Sequence, residues 1–379
     1  MSAEARDMAA AMSLEELAGQ VLMVGATGSG SLPDWNRSFL SQVRPGGVVL
    51  FGFNIPEDPL DLVPYIEELS AASGGLRPFV AVDHEGGPVF RFRHGMTRLP
   101  AARDLGRGGV GLASAAGGVA GSELRALGIS MNLAPVVEAL DERNDAFLGL
   151  RAWSASPEES GRLARAFLEA CQGAGTAGTL KHFPGNASVD PHHGRAVLDA
   201  SMEELEAGHL LSFRLSLQGK PAAVMLSHVT VPAIDPDRPA TLSPAAVDLL
   251  KRGLGFGGIV LTDDLLMQGL GGEPAAPANA VAALAAGADM LMVSGGAAIM
   301  KIRDAIVAAV GDGSLGRDRL EDAAARIIAQ KLRFGLPGEG PEERAVRAEG
   351  FRELVRRNGV AFSAALEAGR TEAGRSMGQ

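Results

Sequence analysis

The chain has 379 residues, 46% of them hydrophobic and 21% charged, the balance of a globular protein with a real core and not of a disordered one. Its 35 Lys and Arg against 45 Asp and Glu leave a formal charge of −10, which repels a phosphate backbone and argues against nucleic acid as a partner. Cys171 is the only cysteine, which excludes an internal disulfide.

Short apolar runs alternate with helical stretches along the whole chain. The first helix, MSLEELAGQ (12–20), is capped by Ser13 and runs into the apolar QVLMVG (20–25). GGVVLFG (46–52) follows, then a helix over 60–73, and then PFVAVDHE (78–85) and ISMNLAPV (129–136). The helix over 156–175 opens on Ser156, with Glu159 three residues on, which predicts a capping box. AGTLKHFPG (177–185) and AAVMLSHV (222–229) come next, then a helix over 243–255 that Ser243 caps and Gly253 and Gly255 end. GGIVLTDD (257–264) and ADMLMVSGG (288–296) are the last apolar runs, and a helix over 318–336 closes the series. Eight runs, several of them almost wholly apolar until the last two or three residues, predict parallel strands buried on both faces. The fold class is therefore α/β, a (β/α)8 TIM-type barrel with a single main domain over residues 1–336. PGEGP (337–341) marks a break. Residues 342–368 then read as one charged amphipathic helix, and GRTEAGRSMGQ as a frayed tail, so 337–379 forms a C-terminal helix and tail packed outside the barrel or free as a partner-binding arm. The first 12 residues carry acids and no apolar signal region, and no run reaches about 18 apolar residues. These features predict a cytoplasmic protein with no membrane span.

Active sites of such barrels lie at the carboxyl ends of the strands. Polar residues are dense there: Asp83, His84 and Glu85 on the third strand, Asn132 and Glu138 beyond the fourth, Lys181 and His182 on the fifth, Ser227 and His228 on the sixth, Asp263 and Asp264 on the seventh. Five converging ends point to a pocket for a polyhydroxylated ligand. Strand alternation sends one of Asp263 and Asp264 toward the barrel mouth. A carboxylate there can be a nucleophile toward an anomeric carbon, a metal ligand or a helix cap. The loop KHFPGNASVDPHHG (181–194) holds Asp190 and His192 two residues apart, so the carboxylate can fix one ring nitrogen and leave the other as a proton donor and acceptor. A metal site is the rival for these His and Asp residues, but the spacing follows no usual zinc pattern and no Cys assists. No metal and no cofactor are expected.

The blocks VDHEGGPVFRF, LRAWS (150–154), KHFPGN, LSHVTVPAIDPDRPATLSP and LGFGGIVLTDDLLM resemble glycoside hydrolase family 3 of bacteria, on its β-N-acetylhexosaminidase branch, over about residues 12–336. The resemblance implies that Asp263 is the nucleophile, forming a covalent glycosyl-enzyme. It implies that His192, paired with Asp190, is the general acid/base, and that Asp83, Arg151, Lys181 and His182 bind the sugar. The implied reaction is double displacement with retention, releasing terminal β-linked N-acetylglucosamine from cell-wall or chitin-like oligosaccharides. An imidazole acid/base repels phosphate less than a carboxylate does, so inorganic phosphate could replace water as the acceptor. A related β-glycosidase and a catalytically inactive barrel that binds sugar are also compatible with these residues, and the chain is expected as a monomer or dimer. The sequence departs from the family pattern in three places. Asn186-Ala187-Ser188-Val189 replaces His-Gly-Asp-Thr in a shortened loop, Asp-Pro-His replaces Asp-Ser-His, and Glu138 stands where an Asp often follows Ala-Pro-Val. His193 competes with His192 for its role. FRELVRRNGVAFSAAL (351–366) is faintly similar to the helix that leads into a second domain in longer family members.

Overall fold

The computed structural model describes residues 2–376 other than 188, 337 and 339. Each apolar run contains one strand of the barrel: β1 Leu22–Gly25, β2 Gly47–Leu50, β3 Phe79–Val82, β4 Met131–Asn132, β5 Ala177–Phe183, β6 Ala223–Leu226, β7 Ile259–Thr262 and β8 Leu291–Val293. They pair in parallel in the order β7-β6-β5-β4-β3-β2-β1-β8. The two ends of the row meet where Leu261 bridges Met290 and Thr262 N donates to Met290 O at 2.9 Å. The sheet thus closes on itself, leaving no edge strand. Its strands are buried along their length, as parallel strands under a ring of helices must be.

Local sequence sets the helix starts. Ser13 and Glu16 form a complete capping box, each side chain accepting the other's backbone N–H, and Ser243 Oγ accepts from Ala246 N. At Ser156 only half the expected box forms. Its Oγ accepts from Glu159 N at 3.3 Å, but the Glu159 carboxylate takes the Ser154 hydroxyl at 2.6 Å, because Ser156 N already donates to Ser154 Oγ. Helices Gly109–Ala126 and Pro157–Gly173 pack through glycine. A Cβ on Gly117 would stand 2.1 Å from Phe167 O, and one on Gly121 2.5 Å from Cys171 O. Cys171 is sealed in that contact, and burial pushes its thiol up to about 12, which makes it unreactive.

The segment after the Pro-Gly break forms two helices where one was expected, Pro341–Glu349 and Phe351–Ser376, parted at Gly350. The second continues through most of the stretch read as a frayed tail; residues 377–379 lie outside the described residues. Phe351 and Phe362 are buried. Arg344 grips Glu67 with two bonds of 2.6 and 2.5 Å. Asn358 donates to the buried Glu123, which also accepts Thr97 N and Thr97 Oγ. Among the described residues no helix is long and apolar enough to cross a membrane.

Lys331 is fully buried on helix Arg317–Arg333, and its ammonium reaches Gln20 Oε1 at 3.4 Å. Burial pushes its pKa down to about 7, against about 10.4 in an unfolded chain. Between those values the unfolded chain binds a proton that the folded one has released, so stability rises with pH across that window; below pH 7 the full cost of the buried charge is present. Lys331→Met is therefore expected to stabilise the protein by a few kcal/mol at pH 6.5. The gain should shrink toward pH 10, and urea denaturation at the two pH values reads the difference; an equal gain at both would contradict a charge penalty.

Candidate active site

A five-member ion network lines one side of the barrel mouth. Asp83 follows β3 directly, and Glu85 lies in the short ribbon formed by His84–Gly86 and Val89–Phe90. Lys181, on β5 and buried, bridges them, with Nζ 2.8 Å from Asp83 Oδ1 and 2.7 Å from Glu85 Oε1. Arg151 clasps Glu85 through two bonds of 2.9 Å, and Arg91 reaches Asp83 Oδ2 at 3.1 Å. Burial opposes both carboxylate charges, yet Lys181 and Arg91 hold Asp83, and Arg151 and Lys181 hold Glu85, below the usual carboxylate range. Against the same penalty, Asp83 and Glu85 raise Lys181, and Glu85 raises Arg151. Three cations against two carboxylates leave this wall with one net positive charge. Its donors are fixed before any ligand arrives, which suits recognition of hydroxyl groups.

His182, the next residue on β5, owes its orientation to Glu138. That fully buried carboxylate accepts His182 N at 3.1 Å, Asn186 N at 2.6 Å and Asn186 Nδ2 at 3.0 Å, and lies 2.9 Å from His182 Nδ1. Nδ1 therefore carries the hydrogen, and Nε2 is the nitrogen left to the cleft. Burial works against the Glu138 charge, but the His182 bond and charge keep its pKa below the ordinary value. That stabilisation is present above the unfolded value of about 4.3 and lost as pH falls through the folded one. Glu138→Gln, which turns an amide N–H toward existing donors, is expected to cost about 2–4 kcal/mol in urea denaturation at pH 7. The gap to the unsubstituted protein should narrow near pH 3, and a constant gap would contradict a role for the charge.

The strand ends do not all converge on the cleft as expected; several brace it instead. Asn132 mimics a strand, accepting His84 N and donating to His84 O at 3.1 Å each. His84 packs against Phe90 and Phe92, and burial, with Arg98 nearby, pushes it down to about 3, so it stays neutral. His228 lies 2.7 Å from Thr241 Oγ1 through Nδ1 and 2.9 Å from Asp264 O through Nε2, and burial lowers its pKa. Ser227 is buried beside it.

The two carboxylates after β7 are held differently. Asp264 Oδ1 accepts Leu266 N and Ser294 N at 3.1 Å each, pinning the loop to the end of β8. Asp263 accepts only the neighbouring Asp264 N, at 2.8 Å, among the described residues. Both border the cleft, but Asp264 has structural work to do and Asp263 is the freer group.

Across the mouth, in the loop after β5, His192 Nδ1 lies 2.7 Å from Asp190 Oδ1, which also accepts His192 N at 2.9 Å. Burial works against the Asp190 charge, but these bonds to His192 keep its pKa low, and the ring's Nε2 is left unpaired by the dyad. The loop is tied to the one that follows Asp263: Gly269 N donates to Pro191 O at 2.8 Å, and a Cβ there would stand 3.0 Å from that oxygen. Pro191 thus supplies an anchoring carbonyl at the centre of the dyad. His193, with its side chain 84% exposed and 3.9 Å from Asp190, is not among the residues lining the cleft; Ser188 of the same loop lies outside the described residues.

The cleft encloses about 190 Å3 and brings together Asp83, Arg151, Lys181, His182, His192 and Asp263, with Asp190 directly behind His192. The sequence pointed to Glu85 only as one of the polar strand ends and gave no sign of Arg91, although both sit in VDHEGGPVFRF, nor of the apolar lining of Phe51, Val89, Phe147, Met225 and Met292. The Arg151 guanidinium lies over the Phe147 ring at 5.3 Å, and the same ring meets His182 edge-on at 5.9 Å.

Residues 13–330 match the model of the glycosyl hydrolase family 3 N-terminal domain. A beta-hexosaminidase of Methylococcus capsulatus is 38% identical over 268 residues, covering 68% of this chain and 78% of that protein. One from Pseudomonas aeruginosa is 38% identical over 265 residues, covering 68% and 77%. Among solved structures, a glycoside hydrolase family 3 β-N-acetylglucosaminidase from Paenibacillus superposes with a TM-score of 0.82 at 31% identity, covering 91% of this chain and 69% of that one. LpqI of M. tuberculosis gives 0.78 at 27% identity, covering 87% and 97%.

Proposed function

The chain belongs to glycoside hydrolase family 3, and from that premise we propose that it is a retaining β-N-acetylglucosaminidase acting on terminal β-linked N-acetylglucosamine of cell-wall or chitin-like oligosaccharides. Asp263 attacks the anomeric carbon from one face while His192 Nε2 gives its proton to the departing oxygen. The imidazole, neutral after that transfer, then takes a proton from water as the water displaces Asp263 and frees the sugar. Asp190 holds the Nδ1–H and steadies the imidazolium. Asp83, Arg151, Lys181 and His182 hold the ring hydroxyls, and Glu85 keeps Lys181 and Arg151 in place. One observation carries the reading: His192 and Asp263 border the same small cleft, whose wall is otherwise charged groups of both signs, His182 and apolar side chains.

The test is an aryl β-N-acetylglucosaminide compared with the matching β-glucoside, each with and without phosphate. The reading expects release of N-acetylglucosamine, first as the β-anomer by NMR, and preference over the glucoside. An α-anomer as first product would reject retention, and equal rates on both sugars would reject the N-acetyl preference. Sugar 1-phosphate as the main product would select phosphate as the acceptor, a reading favoured by the imidazole in place of an acid/base carboxylate. Calorimetric sugar binding without turnover would leave a binding protein.

A further inference from the structure

The enclosed part of the cleft, about 190 Å3, falls below the roughly 300–1,000 Å3 of sites for drug-sized ligands and holds one small ring. The remainder of an oligosaccharide must cross the rim, and on the proposed function, on which this inference rests, all of that remainder lies on the leaving-group side of the scissile bond.

At the end of β2 the rim carries an aromatic pair. Phe51 lines the cleft, and the short turn Gly52–Asn54 presents Phe53 beside it, with ring centroids 5.7 Å apart and planes 19° from parallel. Trp35 and Phe53 are the exposed aromatic side chains among the described residues, and Phe53 is 66% exposed. The turn beneath Phe53 is firmly anchored. Asn54, fully buried, accepts Phe51 N at 2.9 Å and donates to Ala26 O at 3.1 Å and Gly28 O at 2.8 Å, locking the turn to the loop after β1. A rigid turn thus holds a phenyl group in water, stacked on a ring of the cleft wall. Single exposed apolar side chains are common, but this one extends the cleft's own lining outward.

We propose that Phe53, backed by Phe51, is the platform for the second sugar ring, the neutral pyranose on the leaving-group side. The C–H face of a pyranose packs on the electron-rich face of an aromatic ring, and the turn fixes that face in advance, so little ordering is required on binding.

The readout is a ratio, kcat/KM for N,N′-diacetylchitobiose over kcat/KM for methyl β-N-acetylglucosaminide, which has no second ring. Phe53→Ala is expected to lower this ratio about 3- to 10-fold, chiefly through KM for the disaccharide, and Phe53→Trp to keep it. An unchanged ratio in Phe53→Ala, or loss of the ratio in both variants, would overturn the platform while leaving the glycosidase reading intact. Failure of the unsubstituted protein to cleave either compound would instead remove the proposed function and the platform with it.

Discussion

Asp263→Asn is expected to lower kcat on an aryl β-N-acetylglucosaminide by about 10⁴-fold or more, the scale seen when a covalent nucleophile is removed. The amide has nearly the same shape and its oxygen can still accept Asp264 N, so thermal stability should change little. Asp264→Asn separates the two carboxylates. Asp264 Oδ1 holds Leu266 N and Ser294 N, and losing charge from those bonds is expected to cost about 1–2 kcal/mol of stability, with a much smaller effect on kcat. Kinetics and thermal unfolding on both variants check the assignment. The reverse pattern, activity lost with Asp264 and kept with Asp263, would mean that strand alternation selects the other side chain.

His192→Gln is expected to lower kcat by about 10²- to 10⁴-fold for a leaving group that needs its proton. The loss should be far smaller for a 2,4-dinitrophenyl glycoside, whose anion departs unaided. Added azide, which needs no base, should restore turnover of the intermediate and yield a glycosyl azide. Asp190→Asn should move both quantities the same way by less, since it spoils the partner of Nδ1 and leaves the imidazole in place. His193→Gln, with its 84% exposed side chain, should stay within about twofold. Equal losses at His192 and His193 on both classes of leaving group would argue for disturbance of the loop and against proton transfer.

The barrel was legible because parallel strands covered on both faces must be apolar along their length, so each of the eight runs announces its own strand. The place of the Asp263-Asp264 pair was legible for a related reason: charged residues directly after Ile259–Thr262 mark where the strand leaves the core, but only the family resemblance favoured Asp263 over its neighbour. The division of labour among the polar strand ends was not legible. Asn132, Glu138 and His228 are polar residues at or beyond strand ends, as the cleft residues are. What separates them is the partners they meet, and those are the His84 backbone, Asn186, the Thr241 hydroxyl and the Asp264 carbonyl, far away in sequence. For His192 over His193 the sequence offered only the family resemblance, and the tie between Gly269 N and Pro191 O that anchors the loop joins residues far apart in the chain. The capping box at Ser156 failed through one competing hydroxyl, on Ser154. The C-terminal break at Gly350 carried too weak a signal against a continuous run of helix formers.

The most direct test of the whole account is a structure of Asp263→Asn with an intact β-linked N-acetylglucosaminyl disaccharide bound. The predicted result has His192 Nε2 within about 3 Å of the glycosidic oxygen and the side chain at position 263 beneath the anomeric carbon on the opposite face. A complex in which another group occupies either place would contradict the account.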